Sequence, residues 1–236
     1  MQLLSTARAA AAAAISVVGW ALPLASAAQA EEVPVLQEPL HTLRLETSRY
    51  RVYEVTVPVG QATLFHRHSA DNFAVFLSSS NILNERADGT QASVSVQPGG
   101  VTFAAGSAAA SYVHRIRTTS GDAFHNVTIE LLGTAAPGSA IAFPGAAGFF
   151  KLRESARGAA FRVELEPSAT VTLPTSDADT LLVCMKPATF ILSTGGQPGD
   201  RWSCDSGQFK LLESPSTTII SAPTPVPGAL VAFILN

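Results

Sequence analysis

The segment Gly60-Gln61-Ala62-Thr63-Leu64-Phe65-His66-Arg67-His68 contains two histidines separated by one residue. Side chains alternate between the two faces of a β-strand, so residues i and i+2 point the same way. His66 and His68 are therefore expected on one strand face, where two buried imidazoles need a stabilising partner. Imidazole is the ligand to expect for zinc, iron, nickel, copper or manganese. The spacing favours a metal-binding pair over two structural histidines.

The other histidines extend this cluster along the chain. Four of the five, His66, His68, His114 and His125, lie between residues 60 and 130. A third histidine from a distant strand could add a ligand to this pair. His125 begins an apolar run and could face inward as a ligand or as an acid and base, but a lone polar residue at a strand start is more often structural. His41 has no assigned role.

Most of the chain has the pattern of short strands joined by turns. Arg51 to Val57 alternates polar and apolar residues, Phe73 to Leu77 is a short apolar run, and Asp88-Gly89 is a hairpin turn signal. Only 14% of residues are charged, and strand and turn formers are abundant. The sequence predicts an all-β fold.

A weaker second copy follows the first. Its apolar runs repeat those of the first half: Tyr50–Val52 matches Phe161–Val163, Phe73–Leu77 matches Leu181–Met185, and Val127–Leu131 matches Leu230–Ile234. We predict a first repeat at 31–135, a linker at 136–150 and a second repeat at 151–236. The second repeat has no histidine, so it is expected to be structural or to offer an apolar pocket. Its Asp177, Asp179 and Asp200 are interpreted as turn residues.

The histidine segment resembles the first motif of the cupin superfamily, in which Gly, five residues, His, one residue and His follow one another. Pro98 to Gly106, followed by His114, resembles the second motif, although Ala104 stands at its usual proline and the histidine comes several residues late. The resemblance implies a bicupin, two RmlC-like jelly-roll β-barrels with a degenerate second repeat. It also implies a divalent transition metal, Fe, Mn, Ni, Cu or Zn, with His114 as third ligand.

The fourth ligand departs from the motif. The glutamate expected after the second histidine is absent, with Asp71 just before its slot and Asn72 in it. Asp71 is predicted, because a carboxylate offsets the charge of the cation while an amide oxygen does not. The predicted site is therefore His66, His68, Asp71 and His114. A site of three histidines without a carboxylate is the alternative.

The termini and cysteines bear on location. Residues 1–30 have one early cation, an apolar stretch from Ala9 to Leu24 and the small-x-small pattern Ala28-Gln29-Ala30, which is typical of a signal peptide. An uncleaved anchor is the alternative. We predict an exported protein, periplasmic or secreted, with no membrane span after cleavage. Cys184 and Cys204 fit an oxidising compartment, either bridged or as buried thiols.

Charge and family resemblance limit the function. The formal net charge is −3, without a run of Lys or Arg, which excludes nucleic acid and anionic membranes as expected partners. Cupins include dioxygenases, decarboxylases, isomerases and lyases, so the expected function is a metal-dependent enzyme acting on a small organic molecule. The alternatives are a non-catalytic metal- or sugar-binding protein and a structural or storage-like bicupin. The resemblance also implies a homodimer.

Overall fold

The computed structural model describes residues 32–107, 109–133, 148–173, 178–213, 218–223 and 227–235. The predicted signal peptide and nearly all of the predicted linker, 136–150, lie outside these ranges, so both remain predictions. Within them, the helical structure is a three-residue 3-10 turn, Val35–Gln37. No helix in the described part of the chain has the length and apolar character to cross a membrane.

The first unit is built from two five-stranded sheets. Sheet 1 contains, in spatial order, β1 (Glu32–Pro34), β4 (Phe65–His68), β9 (Tyr112–Gly121), β6 (Ser80–Arg86) and β7 (Gln91–Val96). Sheet 2 contains β2 (His41–Glu46), β3 (Tyr50–Val57), β10 (Phe124–Leu131), β5 (Asp71–Phe76) and β8 (Val101–Ala104). Strands β1 and β4 are parallel and their neighbours pair antiparallel. The all-β prediction is confirmed, but the sheets form an open jelly-roll sandwich and not a closed barrel.

The second unit repeats this arrangement. Sheet 3 contains β11 (Phe149–Ser155), β12 (Gly158–Leu165), β19 (Gly228–Leu235), β14 (Asp179–Cys184) and β17 (Phe209–Leu212). Sheet 4 contains β13 (Thr170–Thr172), β18 (Thr218–Ser221), β15 (Ala188–Thr194) and β16 (Asp200–Cys204). The strand order of sheet 3 is that of sheet 2, with β14 in the place of β5. Asp179 and Asp200 begin strands and are not turn residues, and Asp177 lies outside the described residues.

Apolar side chains fill the interior of the second unit. Phe190, Leu182 and Ile220 are fully buried there, within one cluster that spans sheets 3 and 4. Cys184 and Cys204 belong to the same cluster and form a disulfide between β14 and β16. The bridge therefore ties the two sheets of this unit together, and the alternative of two free thiols does not hold.

Sheet 2 is buried on both faces. Tyr53 and Val55 of β3 point toward sheet 1, while Tyr50 and Val52 pack in a cluster shared with the second unit. The rings of Phe73 and Phe233 lie 5.8 Å apart across this contact. The two units are therefore held face to face by sheets 2 and 3, through a hydrophobic core common to both.

Two ion pairs cross the contact in opposite directions. Arg49, which precedes β3, pairs with Asp179 at the start of β14. Arg157, which precedes β12, lies 3.7 Å from Asp71 at the start of β5, measured between Nη1 and Oδ2. The two arginines occupy corresponding positions, as do the two aspartates. The units thus meet through related surfaces.

Candidate metal centre

Three histidines of sheet 1 converge inside the first unit. His66 and His68 lie on β4, and the strand register places His114 of β9 directly beside His66. One ring nitrogen of each histidine lies within 4.8 Å of those of the other two. His66 is 1% exposed and His68 4%. The structure therefore brings together three of the four predicted ligands.

Each of the three rings is oriented by an oxygen atom. The Nδ1 atoms lie 2.9 Å from the Leu64 carbonyl oxygen for His66, 3.3 Å from Glu130 Oε1 for His68, and 3.0 Å from Asn84 Oδ1 for His114. These oxygens accept hydrogen bonds, so Nδ1 carries the proton and Nε2 carries the lone pair in each neutral ring. This is how metal-binding histidines are commonly held.

Burial favours the uncharged form of two of these rings. Desolvation, with repulsion from neighbouring histidines, lowers the pKa of His66 to about 3 and that of His114 to about 2. Nε2 of His114 is buried and has no hydrogen-bond partner in the described part of the chain. A buried polar atom without a partner is costly, and a metal ion would supply one. The residues present therefore fit a divalent ion.

Asp71 does not lie with the histidines. Its Oδ1 accepts a hydrogen bond from the Gly106 amide at 2.8 Å, and its Oδ2 faces Arg157 at the contact between the units. The next residue, Asn72, lines the cavity and donates to the Tyr112 hydroxyl at 3.1 Å. The cause is alternation along β5, which turns Asp71 and Asn72 to opposite faces. The structure thus matches the alternative of three histidines without an aspartate.

His41 is the cluster residue that sequence reasoning missed. Its ring centroid lies 4.6 Å from that of His66, and its Nδ1 donates to the Val35 carbonyl oxygen at 2.9 Å. Burial lowers the pKa of His41 to about 4. The strand register pairs His41 with Val55, which faces the cavity, so His41 faces it as well.

His125 points away from the cavity. Its Nε2 lies 2.6 Å from Glu54 Oε1. Both side chains are partly exposed, 28% for His125 and 22% for Glu54. This placement supports the structural interpretation of His125.

Comparison with solved structures identifies the architecture. A cupin 2 conserved barrel domain protein from Leptotrichia buccalis aligns with a TM-score of 0.53 and 8% identity, over 83% of this chain and 88% of that one. A mutant of Bacillus subtilis oxalate decarboxylase gives a TM-score of 0.59 and 9% identity, over 83% of this chain and 75% of that one. The protein has a two-unit cupin fold. No family model and no curated protein sequence matches the chain.

Another solved structure of Bacillus subtilis oxalate decarboxylase comes from a study of the Mn(II) centres of that protein. It aligns with a TM-score of 0.58 and 9% identity, over 83% of this chain and 75% of that one. At such identities the likeness shows the cupin fold and leaves the chemistry to be argued from the residues of this chain.

A buried carboxylate lies next to the histidine cluster. Glu130 is 2% exposed, and its two oxygens lie 3.3 Å from His68 Nδ1 and 3.3 Å from Arg51 Nε. The charge of Arg51 balances that of the carboxylate, and the carboxylate orients His68. Its place in the sequence, within the apolar run of β10, gave no signal of this role.

The histidines line one side of a cavity of about 250 Å³ between sheets 1 and 2. Around them lie the polar side chains of Asn72, Asn84 and Tyr112. The polar residues Arg86, Thr102, Asn126 and Thr128 also line it. Apolar side chains line much of the rest, among them Val55, Phe76, Ile82, Val94, Val96, Ile116 and Phe124. The first cupin unit thus combines a ligand cluster with room for a small molecule.

Proposed function

We propose that the first cupin unit binds a divalent transition metal through Nε2 of His66, His68 and His114, and that the protein is a metal-dependent enzyme acting on a small organic molecule. The observation that carries the proposal is the convergence of three oriented imidazoles on a cavity. Three protein ligands leave coordination positions for substrate, as is usual in catalytic sites.

The donor set restricts the metal. Imidazole suits zinc, copper, iron and nickel, and the Mn(II) centres of the oxalate decarboxylase with this fold support including manganese. A bound ion would act as a Lewis acid that polarises a substrate oxygen or lowers the pKa of a bound water.

The protein's own groups would position the substrate. The Tyr112 ring stacks on His68 with centroids 4.8 Å apart, and its hydroxyl is held by Asn72. Burial raises the pKa of Tyr112, so it stays a neutral hydrogen-bonding group. Asn72 lines the same cavity and carries a neutral amide in place of the predicted carboxylate. Both side chains can therefore orient a polar substrate group at the cluster.

The experiment is metal analysis of the protein purified without a histidine tag, by elemental mass spectrometry after reconstitution. We expect close to one ion per chain, lost in the double variant His66→Ala, His68→Ala. His125→Ala is the matched control, because this histidine is bound to Glu54 outside the cavity. Equal loss in the control, or no metal in the reconstituted wild-type protein, would refute the metal site.

Turnover separates the enzyme from a non-catalytic binding protein. The metal-loaded protein is screened against small organic acids and oxygenated compounds, with the double variant as blank. Turnover that disappears in the blank supports the enzyme. Stoichiometric metal without turnover of any compound favours the binding protein.

We also propose that the chain is exported and loses residues 1–30. The disulfide between Cys184 and Cys204 supports this, because such bonds persist in oxidising compartments. Intact mass of the protein recovered from culture medium or periplasm tests it, and a mass that retains the N-terminal segment would contradict it. The homodimer implied by the cupin resemblance stays a prediction, which sedimentation can check.

A further inference from the structure

The cavity of the first unit changes character along strand β6. Arg86, Asn84 and Ile82 all line it, since residues two apart share a strand face. At roughly 3.3 Å per residue, Arg86 and Ile82 are about 13 Å apart along the strand. The cavity wall therefore runs from a cation through an amide to an apolar side chain within the length of a small molecule.

Arg86 lies beside the histidine cluster. The strand register pairs it with His114, and its guanidinium carbon lies 5.0 Å from the centre of the Tyr112 ring. Tyr112 in turn contacts His114, with ring centroids 5.3 Å apart. Arg86 is exposed, and among the described residues no carboxylate forms an ion pair with it. Its charge is therefore available to a ligand.

The other arginines of this region are already paired. Arg115 and Arg117, on the opposite face of sheet 1, lie 2.7 Å and 3.8 Å from Glu85 Oε2. Arg51 forms an ion pair with Glu130. Arg86 is thus the cation that lines the cavity and has no ion-paired carboxylate among the described residues.

The local charge favours an anion. The three histidines include no acidic ligand among the described residues, and the charge of Arg51 balances that of the Glu130 carboxylate beside His68. A bound divalent ion would therefore keep much of its positive charge. Arg86 adds to the same field, and guanidinium groups bind carboxylates through paired hydrogen bonds. The apolar half of the cavity would exclude the rest of the ligand from water.

We propose that this cavity binds a small carboxylate with an apolar tail, its carboxylate paired with Arg86 beside the histidines and its tail in the apolar half. The proposal deepens the metal-site proposal and rests on it only for the added charge of the ion. A volume of about 250 Å³ equals that of about eight liquid water molecules, which suits a tail of a few carbons.

The test is isothermal titration with three probes, hexanoate, acetate and 1-hexanol. Metal content is measured on the same batch, and each titration is repeated after chelation. Hexanoate should bind most tightly. Each buried methylene adds about fourfold in affinity, so acetate should bind far more weakly. The alcohol should be at least about tenfold weaker than hexanoate, because it lacks the charged hydrogen bonds to Arg86.

Variants locate the two ends of the ligand. Arg86→Gln should weaken hexanoate at least about tenfold and leave 1-hexanol unchanged. Arg201→Gln, an exposed arginine of the second unit, is the matched control and should change nothing. Val94 lines the cavity but is 40% exposed, so Val94→Asn should fold, and it should weaken hexanoate while sparing acetate.

The outcomes separate this proposal from the metal site. Failure of hexanoate to bind a batch with stoichiometric metal would overturn the carboxylate proposal and leave the metal site standing. If the protein takes up no metal but binds hexanoate in a way that depends on Arg86, the metal site is overturned and the carboxylate proposal stands. Equal affinity for hexanoate and 1-hexanol, or no effect of Arg86→Gln on hexanoate binding, would also overturn the carboxylate proposal.

Discussion

Glu130→Gln should weaken metal binding without removing a metal ligand. Glutamine has nearly the same volume, but it cannot supply the negative charge that lies 3.3 Å from His68 Nδ1. Loss of an outer partner of a metal-binding histidine typically costs about 10–100-fold in metal affinity. That corresponds to about 1.4–2.7 kcal/mol of binding free energy.

Folding stability should fall in the same variant. Glu130 is 2% exposed, and Arg51 loses the charge with which its Nε pairs at 3.3 Å. Arg51 is itself 25% exposed, so water compensates part of the loss. We expect a decrease of about 1–3 kcal/mol in the free energy of unfolding of the metal-free protein.

Competition with a chromophoric chelator at pH 7 measures the metal affinity. Glu85→Gln is the control, because Glu85 is 7% exposed and pairs with Arg115 on the face of sheet 1 away from the cavity. It should lose stability but keep its metal affinity. Unchanged affinity in Glu130→Gln, or an equal fall in both variants, would refute the argument that Glu130 acts through His68.

Three further predictions concern stability. Replacing Cys184 and Cys204 by alanine should lower the free energy of unfolding by about 3 kcal/mol, since the bond closes a loop with a sequence separation of 20 residues; urea titration checks this, and an unchanged midpoint contradicts it. Phe233→Ala should lower the free energy of unfolding by about 3–5 kcal/mol, because Phe233 is fully buried between the units. Calorimetry measures this, and destabilisation of the second unit alone would contradict a core shared by both units. The hydrogen bond from Arg115 lowers the pKa of Glu85 below its ordinary value of 4.5, so this pair stabilises the fold above pH 4.5 and ceases to do so as pH falls through the lowered pKa. Glu85→Gln should therefore be less stable than the wild type at pH 7 and equally stable in acid. Stability curves that stay parallel down to about pH 2 would contradict this.

The histidine cluster could be predicted because its signal is local. Two residues of separation fix His66 and His68 on one strand face, whatever the rest of the fold. The third histidine, His114, came from the resemblance to the second cupin motif. The repeat was visible for a similar reason: the apolar runs at Phe73 and Leu181 lie on the corresponding strands β5 and β14.

The prediction that Asp71 lies with the histidines was wrong, because a turn between two strands interrupts the alternation of side chains. Alternation along β4 does not determine which residue of β5 faces the same side, since Ser69 and Ala70 intervene between the strands. A shift of one residue exchanges Asp71 for Asn72. The chemical preference for a carboxylate therefore selected the residue that faces the second unit.

His41 and Glu130 needed tertiary information. His41 reaches the cavity only because β2 pairs with β3 in the register that sets it beside Val55. Glu130 sits in an apolar strand, and its partner Arg51 is adjacent only after β3 and β10 pair. Neither strand pairing can be deduced from the residues that flank these positions.

Alternate residues of sheet 2 face either the cavity or the second unit, so the two requirements on the sheet fall on different residues. In β10, Val127, Ile129 and Leu131 pack against the other unit, while Asn126 and Thr128 line the cavity. Neighbouring residues of one strand can therefore change independently. In the second unit, β19 keeps Val231 and Phe233 in the contact, whereas Leu230 and Ala232 belong to its filled interior. A duplicated unit could thus replace a cavity with a filled hydrophobic interior and keep the surface that packs against the first unit.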